Sequence, residues 1–186
     1  MELYVARHGQ TAYNAEELAC GGQTDIPLTE VGKAQARELG EKLVDIPIDV
    51  VIASPLMRAQ ETARIAVSSA KQDPFFLTDS HIKEHCFGAY EGVDMNDPVF
   101  SEIRWEASYR FDGGESLFDL AARVYPFLEN LPRRFPDKTV LLVCHGAVAR
   151  MISSYYKSFT AEEFRNFWMG NCDLLYFSVP GNGLTR

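Results

Sequence analysis

The sequence predicts an α/β protein with three layers, in which helices flank a mostly parallel central sheet on both sides. Apolar stretches typical of strands alternate with amphipathic helical patterns, which is the order of right-handed β-α-β crossovers. Three of these stretches, LYVA, DVVIA and TVLLVC, are almost continuously apolar, as in parallel strands that are covered on both faces. The 186 residues contain no repeat or linker and fit one domain, 1–186.

Five segments are predicted as strands because they are rich in Val, Ile, Leu, Phe and Tyr. They are Glu2–Ala6, Asp49–Ala53, Phe75–Leu77, Thr139–Cys144 and Cys172–Val179. Four segments have the spacing of helices with one apolar face. They are Glu30–Val44, Leu56–Ser68, Leu117–Leu131 and Ala147–Tyr156.

Local signals refine three of these helices. Thr29 is a plausible N-cap of the first helix. Ser54 is expected to cap the second, with Pro55 in its first position. Pro126 lies inside the third and is expected to kink or split it. The segment Asp94–Phe111 is dense in aromatic and charged residues, and we expect one short helix within a long excursion there.

Composition limits the classes of function. The chain is 46% hydrophobic and 24% charged, which is ordinary for a soluble globular protein, and no apolar stretch approaches the roughly 18 residues of a membrane helix. A net charge of -8 argues against broad nucleic-acid binding but allows a small anion pocket. Met1 and Glu2 lead straight into the first strand, so we expect no signal peptide. The four cysteines are widely spaced, which favours free thiols and a cytoplasmic location.

Cationic and imidazole side chains follow the three long apolar strands at their carboxyl ends. They are Arg7 and His8 after LYVA, Arg58 in SPLMRA after DVVIA, and His145 after TVLLVC. Ligands of open α/β sheets bind at this edge, so we expect these four side chains to lie together. Arginine matches phosphate oxygens with a fork of donors, and a neutral histidine can attack phosphorus.

Two glycines accompany these residues. Gly9 is expected to permit a tight turn and a close approach. Gly146 begins a helix, and its lack of a side chain would let a bound anion approach free N–H groups at the helix start. The set therefore predicts a phosphate site.

No phosphate-binding G-x-x-x-x-G-K-[ST] loop and no carboxylate cluster for Mg²⁺ is visible, so we expect neither a metal nor another cofactor. One motif favours a different chemistry. HIKEH, from His81 to His85, matches the H-x-x-E-H pattern of zinc proteases. That pattern needs a continuous helix, and residues 79–80 and 86–88 interrupt it.

RHGQTAYN resembles the R-H-G-x-T-x-x-N signature of the histidine phosphatase superfamily, in its phosphoglycerate-mutase-like branch. The resemblance continues through GGQTDIPLTEVGKAQA, IASPLMRAQETA, IKEHCFGAYEG, GGES and VCHGAVAR, in the order of the family and over nearly the whole chain. It implies the histidine phosphatase fold. It also implies a small phosphorylated metabolite as substrate.

The resemblance also implies the roles of residues. His8 would be the nucleophile that becomes phosphohistidine, and Glu84 would be the proton donor. Arg7, Arg58 and His145 would hold the phosphate. Asn14, Gly22 and Gly146 would contribute to the phosphate or substrate site. Many relatives have Gln-Gly where this chain has Gly21-Gly22, so substrate contacts from that loop are in doubt.

Some alternatives stay open. Glu91 and Glu115 are further candidates for the acid, and Asn14 would also suit a simple turn. Phe100, Trp105 and Phe111 fit either the core or the substrate pocket.

The predicted function is a metal-independent phosphomonoesterase. The alternatives are a phosphoglycerate mutase, which uses the same phosphohistidine, and a non-catalytic relative that binds phosphorylated ligands. Mutases of this family carry a longer insertion between the acid loop and the GGES segment. Here residues 91–115 are expected to form part of a shorter lid over the leaving group, in which Arg104 and Arg110 would affect specificity.

Overall fold

A five-stranded sheet forms the centre of the structure, a computed structural model that describes residues 1–180. The strands are β1 (Glu2–Arg7), β2 (Val50–Ala53), β3 (Phe75–Thr78), β4 (Thr139–Cys144) and β5 (Leu174–Ser178). Their order is β3-β2-β4-β1-β5. The first four strands are parallel to their neighbours, and β5 pairs with β1 in the antiparallel direction. The predicted mostly parallel sheet is confirmed, with strand ends that differ by one or two residues.

Helices connect these strands. They are α1 (Ala12–Ala15), α2 (Glu30–Leu43), α3 (Met57–Ser69), α4 (Pro98–Ile103), α5 (Leu117–Arg134), α6 (Gly146–Tyr156) and α7 (Ala161–Asn166). Two short 3₁₀ turns cover Ser80–Ile82 and Gly88–Tyr90. Among residues 1–180, none of the helices combines the length and the apolar character needed to cross a lipid bilayer.

The two faces of the sheet bury two separate apolar cores. On one face, α2 and α3 pack against residues such as Val51, Leu141 and Val143. On the other face, α5 and α6 pack against residues such as Leu3 and Leu142. Because successive residues of a strand point to opposite faces, the continuously apolar strands supply both cores. The predicted three-layer architecture is confirmed.

The excursion after β3 has a small core of its own. Asp97 caps α4 by accepting a hydrogen bond from the Phe100 amide at 2.8 Å. Phe100 and Phe111 are buried together with Ala19, and further aromatic side chains pack around them. The short helix predicted within Asp94–Phe111 is confirmed, and these two phenylalanines belong to the core.

The expected cap of α3 is wrong, and of the two outcomes expected at Pro126, a kink or a split, the split is excluded. α3 begins at Met57 after an N-cap, Leu56, that makes no side-chain cap, so Ser54 does not cap this helix. α5 is not split at Pro126, since it runs without interruption to Arg134. Its apolar stripe from Leu117 to Leu131 is buried against the sheet. That burial outweighs the single backbone hydrogen bond that a proline removes.

Candidate active site

The carboxyl ends of β1, β2 and β4 lie side by side, and they bring the predicted residues together. The His8 amide donates to the Cys144 carbonyl at 3.0 Å, and the Ser54 amide donates to the Val143 carbonyl at 2.9 Å. The His8 and His145 rings lie 5.0 Å apart between their centroids. The expectation that these strand ends meet at one edge is therefore confirmed.

His8 is buried and held in one tautomer. Its Nδ1 lies 2.7 Å from the carbonyl oxygen of Gly9. A carbonyl oxygen only accepts hydrogen bonds, so Nδ1 carries the proton and Nε2 of the neutral ring has a free lone pair. Burial lowers the pKa of His8 well below its usual value, and the positive charges of Arg58 and Arg7 lower it further. The ring is therefore neutral near pH 7, as nucleophilic attack requires.

Arg58 is buried and Arg7 is partly buried beside His8, and both have donors to spare. Arg7 donates from Nη1 to the Met169 carbonyl at 2.7 Å. Arg58 is fully buried, and its Nη1 donates to the Thr24 carbonyl at 2.6 Å. The Nε of each arginine is buried without a hydrogen-bond partner among residues 1–180. Buried donors are rarely left unpaired, so both Nε atoms are available to donate to an anionic ligand.

His145 provides a third unpartnered nitrogen. Its Nε2 lies 2.7 Å from Ser54 Oγ. Because the Leu56 amide donates to that same oxygen at 3.4 Å, the serine hydroxyl is free to donate to Nε2. When the hydroxyl donates in this way, Nδ1 carries the proton, and this buried Nδ1 has no partner within the described residues. Ser54 thus orients His145 as a donor, which is the role that replaces the helix cap expected from the sequence.

Glu84 is buried at the same edge. Its Oε1 accepts from the His85 amide at 2.9 Å, and its Oε2 accepts from the Ala147 amide at 3.3 Å, at the start of α6. A Cβ built on Gly146 would lie 3.9 Å from both Glu84 Oε2 and Arg7 Nε. The missing side chain of Gly146 therefore leaves an open space between Glu84 and Arg7.

The other two candidates for the acid have different surroundings. Glu115 pairs with Arg123 at 2.8 Å. Glu91 accepts from the Gln23 amide at 2.8 Å. Neither lines the cavity described below, whereas Glu84 does.

The remaining predicted site residues are placed differently from one another. Asn14 closes a capping box with Thr11 on α1 and lines the cavity. Gly22 does not line it. Gly22 packs against the backbone of Glu84, where a Cβ would lie 2.6 Å from the carbonyl oxygen.

The close approach at Gly9 is to the Gly32 carbonyl of α2, at 2.5 Å from a hypothetical Cβ. It is therefore a packing requirement and not a contact with ligand.

A cavity of about 610 Å³ opens over these residues. Its wall includes several side chains that the sequence analysis did not identify: Arg150, Arg165, Asn166, Phe167, Trp168, Met169 and Asn171. Most of them lie between α7 and β5, in a stretch with no periodic pattern. Arg150 has a visible signal, since it is a charged residue inside the otherwise apolar start of α6. In the excursion, Arg104 and Trp105 line the cavity, whereas Arg110 pairs with Asp119 at the surface and does not.

The zinc-protease interpretation of HIKEH lacks the helix that it needs. The segment forms one 3₁₀ turn, Ser80–Ile82, followed by extended backbone at Lys83. His81 is exposed beside Asp79, and His85 Nε2 lies 3.0 Å from the Glu115 carbonyl. Within residues 1–180, no group of three or more His, Cys, Asp or Glu side chains is arranged to hold a metal ion.

The family model of the histidine phosphatase superfamily (branch 1) matches residues 3–185. The chain therefore belongs to this family. A 2,3-bisphosphoglycerate-dependent phosphoglycerate mutase of Gloeobacter violaceus is 32% identical over 97% of this chain and 87% of its own length. PhoE, an uncharacterized phosphatase of Bacillus subtilis, is 35% identical over 77% of this chain and 70% of its own. The relatives thus include both mutases and phosphatases.

Solved structures agree with the fold. A mycobacterial glucosyl-3-phosphoglycerate phosphatase in complex with VO3 superposes with a TM-score of 0.83, at 27% identity, over 98% of this chain and 94% of its own. The YhfR protein of Bacillus stearothermophilus superposes with a TM-score of 0.85, at 29% identity, over 98% of this chain and 93% of its own.

Proposed function

We propose that the protein is a cytoplasmic, metal-independent phosphomonoesterase that acts on a small phosphorylated metabolite through a phosphohistidine. One observation carries this proposal. A neutral His8, with Nε2 unprotonated, lies among three side chains that each have a buried nitrogen without a partner in residues 1–180, namely Arg7, Arg58 and His145. This arrangement provides a nucleophile and the donors for a tetrahedral anion.

In the first half-reaction, Nε2 of His8 attacks phosphorus as the bond from phosphorus to the ester oxygen breaks. Arg7, Arg58 and His145 donate to the phosphoryl oxygens, where the charge of the transition state is spread. Glu84, in its protonated form, gives its proton to the departing alkoxide. The free alcohol leaves, and the phosphoryl group remains on His8.

In the second half-reaction, the ionised Glu84 takes a proton from a water molecule. The water oxygen forms a bond to phosphorus as the bond from phosphorus to Nε2 breaks. Inorganic phosphate leaves, and both His8 and Glu84 return to their starting states. The hydrogen bond from Nδ1 of His8 to the Gly9 carbonyl keeps the ring in the same tautomer throughout.

The nucleophile is tested by substitution. His8→Ala and His8→Asn should both abolish turnover of p-nitrophenyl phosphate, because no other residue at this edge can accept the phosphoryl group. Rapid quenching of the unsubstituted protein should trap a base-stable, acid-labile phosphoryl group on the peptide that contains His8. Turnover retained by His8→Ala would exclude the mechanism.

A mutase uses the same intermediate, so the two activities require a separate test. A mutase must exclude water while a bisphosphate intermediate turns over. Only residues 85–112 separate Glu84 from Gly113, which is shorter than the insertion expected of a mutase. We therefore expect water to reach the phosphohistidine.

The assay follows free phosphate and 2-phosphoglycerate together, starting from 3-phosphoglycerate with a catalytic amount of 2,3-bisphosphoglycerate. Phosphate release with negligible isomerisation is the expected result. Isomerisation much faster than phosphate release would assign the protein as a mutase.

A further inference from the structure

The loop between α7 and β5, residues 167–173, holds the end of β1 from a remote part of the chain. The Cys172 amide donates to the Arg7 carbonyl at 3.1 Å, and the Arg7 amide donates to the Asp173 carbonyl at 3.3 Å. The side chain of Arg7 donates to the Met169 carbonyl in the same loop. The backbone that leads into the nucleophile is therefore fixed against this loop.

Asn171 lies in this loop and reaches the nucleophile itself. Its Nδ2 donates to the His8 carbonyl oxygen at 2.8 Å and to Asn14 Oδ1 at 3.4 Å. The next residue, Cys172, has a φ of 58°, in the left-handed region that residues with a side chain rarely adopt. Unfavourable backbone conformations of this kind cluster at functional sites. The loop has one directly after the residue that contacts His8.

The peptide between His8 and Gly9 is held at both of its polar atoms. The Gly9 amide donates to Thr62 Oγ1, on α3, at 2.9 Å, and the His8 carbonyl accepts from Asn171. A rotation of this peptide would displace the Gly9 carbonyl, which is the group that accepts from Nδ1 of His8. Asn171 therefore stabilises the backbone on which the orientation of the His8 ring depends.

The orientation of both asparagine amides follows from their backbone partners. The His8 carbonyl only accepts hydrogen bonds, so Nδ2 of Asn171 faces it, and not Oδ1. The Thr11 amide only donates, and it lies 3.1 Å from Asn14 Oδ1. This oxygen therefore accepts from two donors, Thr11 and Asn171, which use both of its lone pairs. Nδ2 is then the group with which Asn14 can bind a ligand.

Both asparagines line the cavity together with Arg7 and His8. Phosphoryl oxygens are acceptors, so Nδ2 of Asn14 can donate to them, whereas Oδ1 in the same place would repel them. The two hydrogens of Asn171 Nδ2 are already used by His8 and Asn14. Asn171 therefore acts through these two residues and not by donating from Nδ2 to the phosphoryl group.

We propose that Asn171 is a positioning residue for phosphoryl transfer to His8. It fixes the peptide that follows the nucleophile, and it turns the amide of Asn14 so that Nδ2 donates to the phosphoryl group. This inference rests on the proposed phosphomonoesterase activity.

Kinetics of Asn171→Ala test the inference. This variant should lower kcat/KM for p-nitrophenyl phosphate about tenfold, the effect of losing one hydrogen bond to a charged group. The inhibition constant of orthovanadate, which resembles the phosphoryl group during transfer, should rise by a similar factor. The loss of kcat/KM should be the same for glycerol 3-phosphate, because the contact concerns the phosphoryl group and not the leaving group.

A double-mutant cycle with Asn14→Ala separates positioning from a general structural role. In the Asn14→Ala background, Asn171→Ala should lower kcat/KM only about threefold or less, because the amide that Asn171 orients is no longer present. A tenfold loss in both backgrounds would show that Asn171 does not act through Asn14, and would overturn the proposal.

Two further variants guard the cycle. Asn130→Ala is the control, because Asn130 is exposed on α5 and donates to a carbonyl of its own helix, and its kinetics should be unchanged. Asn171→Leu replaces Asn171→Ala if circular dichroism shows that the latter is unfolded, since leucine resembles the amide in shape and has no donor. If neither variant folds, Asn171 is a residue required for folding, and the positioning role is wrong.

The unsubstituted protein separates this inference from the proposed function. If it hydrolyses p-nitrophenyl phosphate and Asn171→Ala retains the full kcat/KM, the positioning role is wrong and the phosphatase stands. If the unsubstituted protein hydrolyses no ester, the proposed function is overturned, and this inference with it.

Discussion

At the scale of single residues, two glycines shape the site because they have no side chain. Gly9 and Gly146 both lie next to catalytic candidates, but the missing side chain has a different purpose in each. At Gly9 the backbone of Gly32 lies within 2.5 Å of the position that a Cβ would take. At Gly146 the nearest atoms are 3.9 Å away, and they belong to Arg7 and Glu84.

Substitution by alanine should therefore affect substrate binding at Gly146 and the stability of the fold at Gly9. Gly146→Ala should fold normally and raise the KM for p-nitrophenyl phosphate roughly tenfold, because its methyl group takes space between Arg7 and Glu84. Gly9→Ala should lower the free energy of unfolding by about 1–3 kcal/mol through overpacking. Urea unfolding and steady-state kinetics of both variants check this. Equal loss of stability in the two variants would contradict it.

At the scale of elements, α5 stabilises the loop that carries Glu84, the proposed acid. Arg123, on this helix, donates to the His81 carbonyl at 2.7 Å and to the Glu84 carbonyl at 3.0 Å. It also pairs with Glu115 at 2.8 Å. One side chain thus connects a helix of the central domain core to both ends of the HIKE segment. Arg123 is a positioning residue for Glu84.

We expect Arg123→Gln to weaken proton donation more than phosphoryl binding. An alkyl phosphate needs the acid because its alkoxide is a poor leaving group, whereas p-nitrophenolate leaves without a proton. The loss of kcat should be roughly tenfold larger for glycerol 3-phosphate than for p-nitrophenyl phosphate. Arg133→Gln, at an exposed position in the last turn of α5, is the control. An equal loss of kcat for both esters would show that Arg123 supports the structure in general and does not position Glu84.

At the scale of the whole molecule, the neutral buried histidines of the site should make the folded protein less stable at acid pH. Burial lowers the pKa of His8 and His145 well below the usual value, and it lowers that of His85 as well. In the unfolded chain these rings take up protons near pH 6.5, while in the folded protein they do not. The unfolded state then binds more protons below pH 6.5, so stability falls as the pH falls.

For each fully buried histidine, the loss approaches roughly 1.4 kcal/mol per pH unit once the pH is well below 6.5. His8→Asn removes one such group. The drop in free energy of unfolding between pH 6.5 and 5.5 should therefore be about 1 kcal/mol smaller in His8→Asn than in the unsubstituted protein, because the unfolded histidine is already half protonated at pH 6.5. Urea unfolding at the two pH values measures it. Identical drops would show that His8 titrates normally in the folded chain.

The sequence by itself determined the alternation of strands and helices, the parallel character of the sheet and the meeting of His8, Arg58 and His145 at one edge. These follow from short-range periodicity and from the direction of parallel strands, which need no knowledge of distant contacts.

Only the tertiary structure decided which carbonyl fixes the tautomer of His8, the function of Ser54 as a partner of His145, and the residues that form the wall of the cavity. Trp168 and Met169 reach the site because Arg7 donates to a carbonyl 162 residues further along the chain. Arg150 and Trp105 meet because α6 and the excursion pack together. Contacts of this kind depend on packing between remote segments, and local patterns of residues do not encode them.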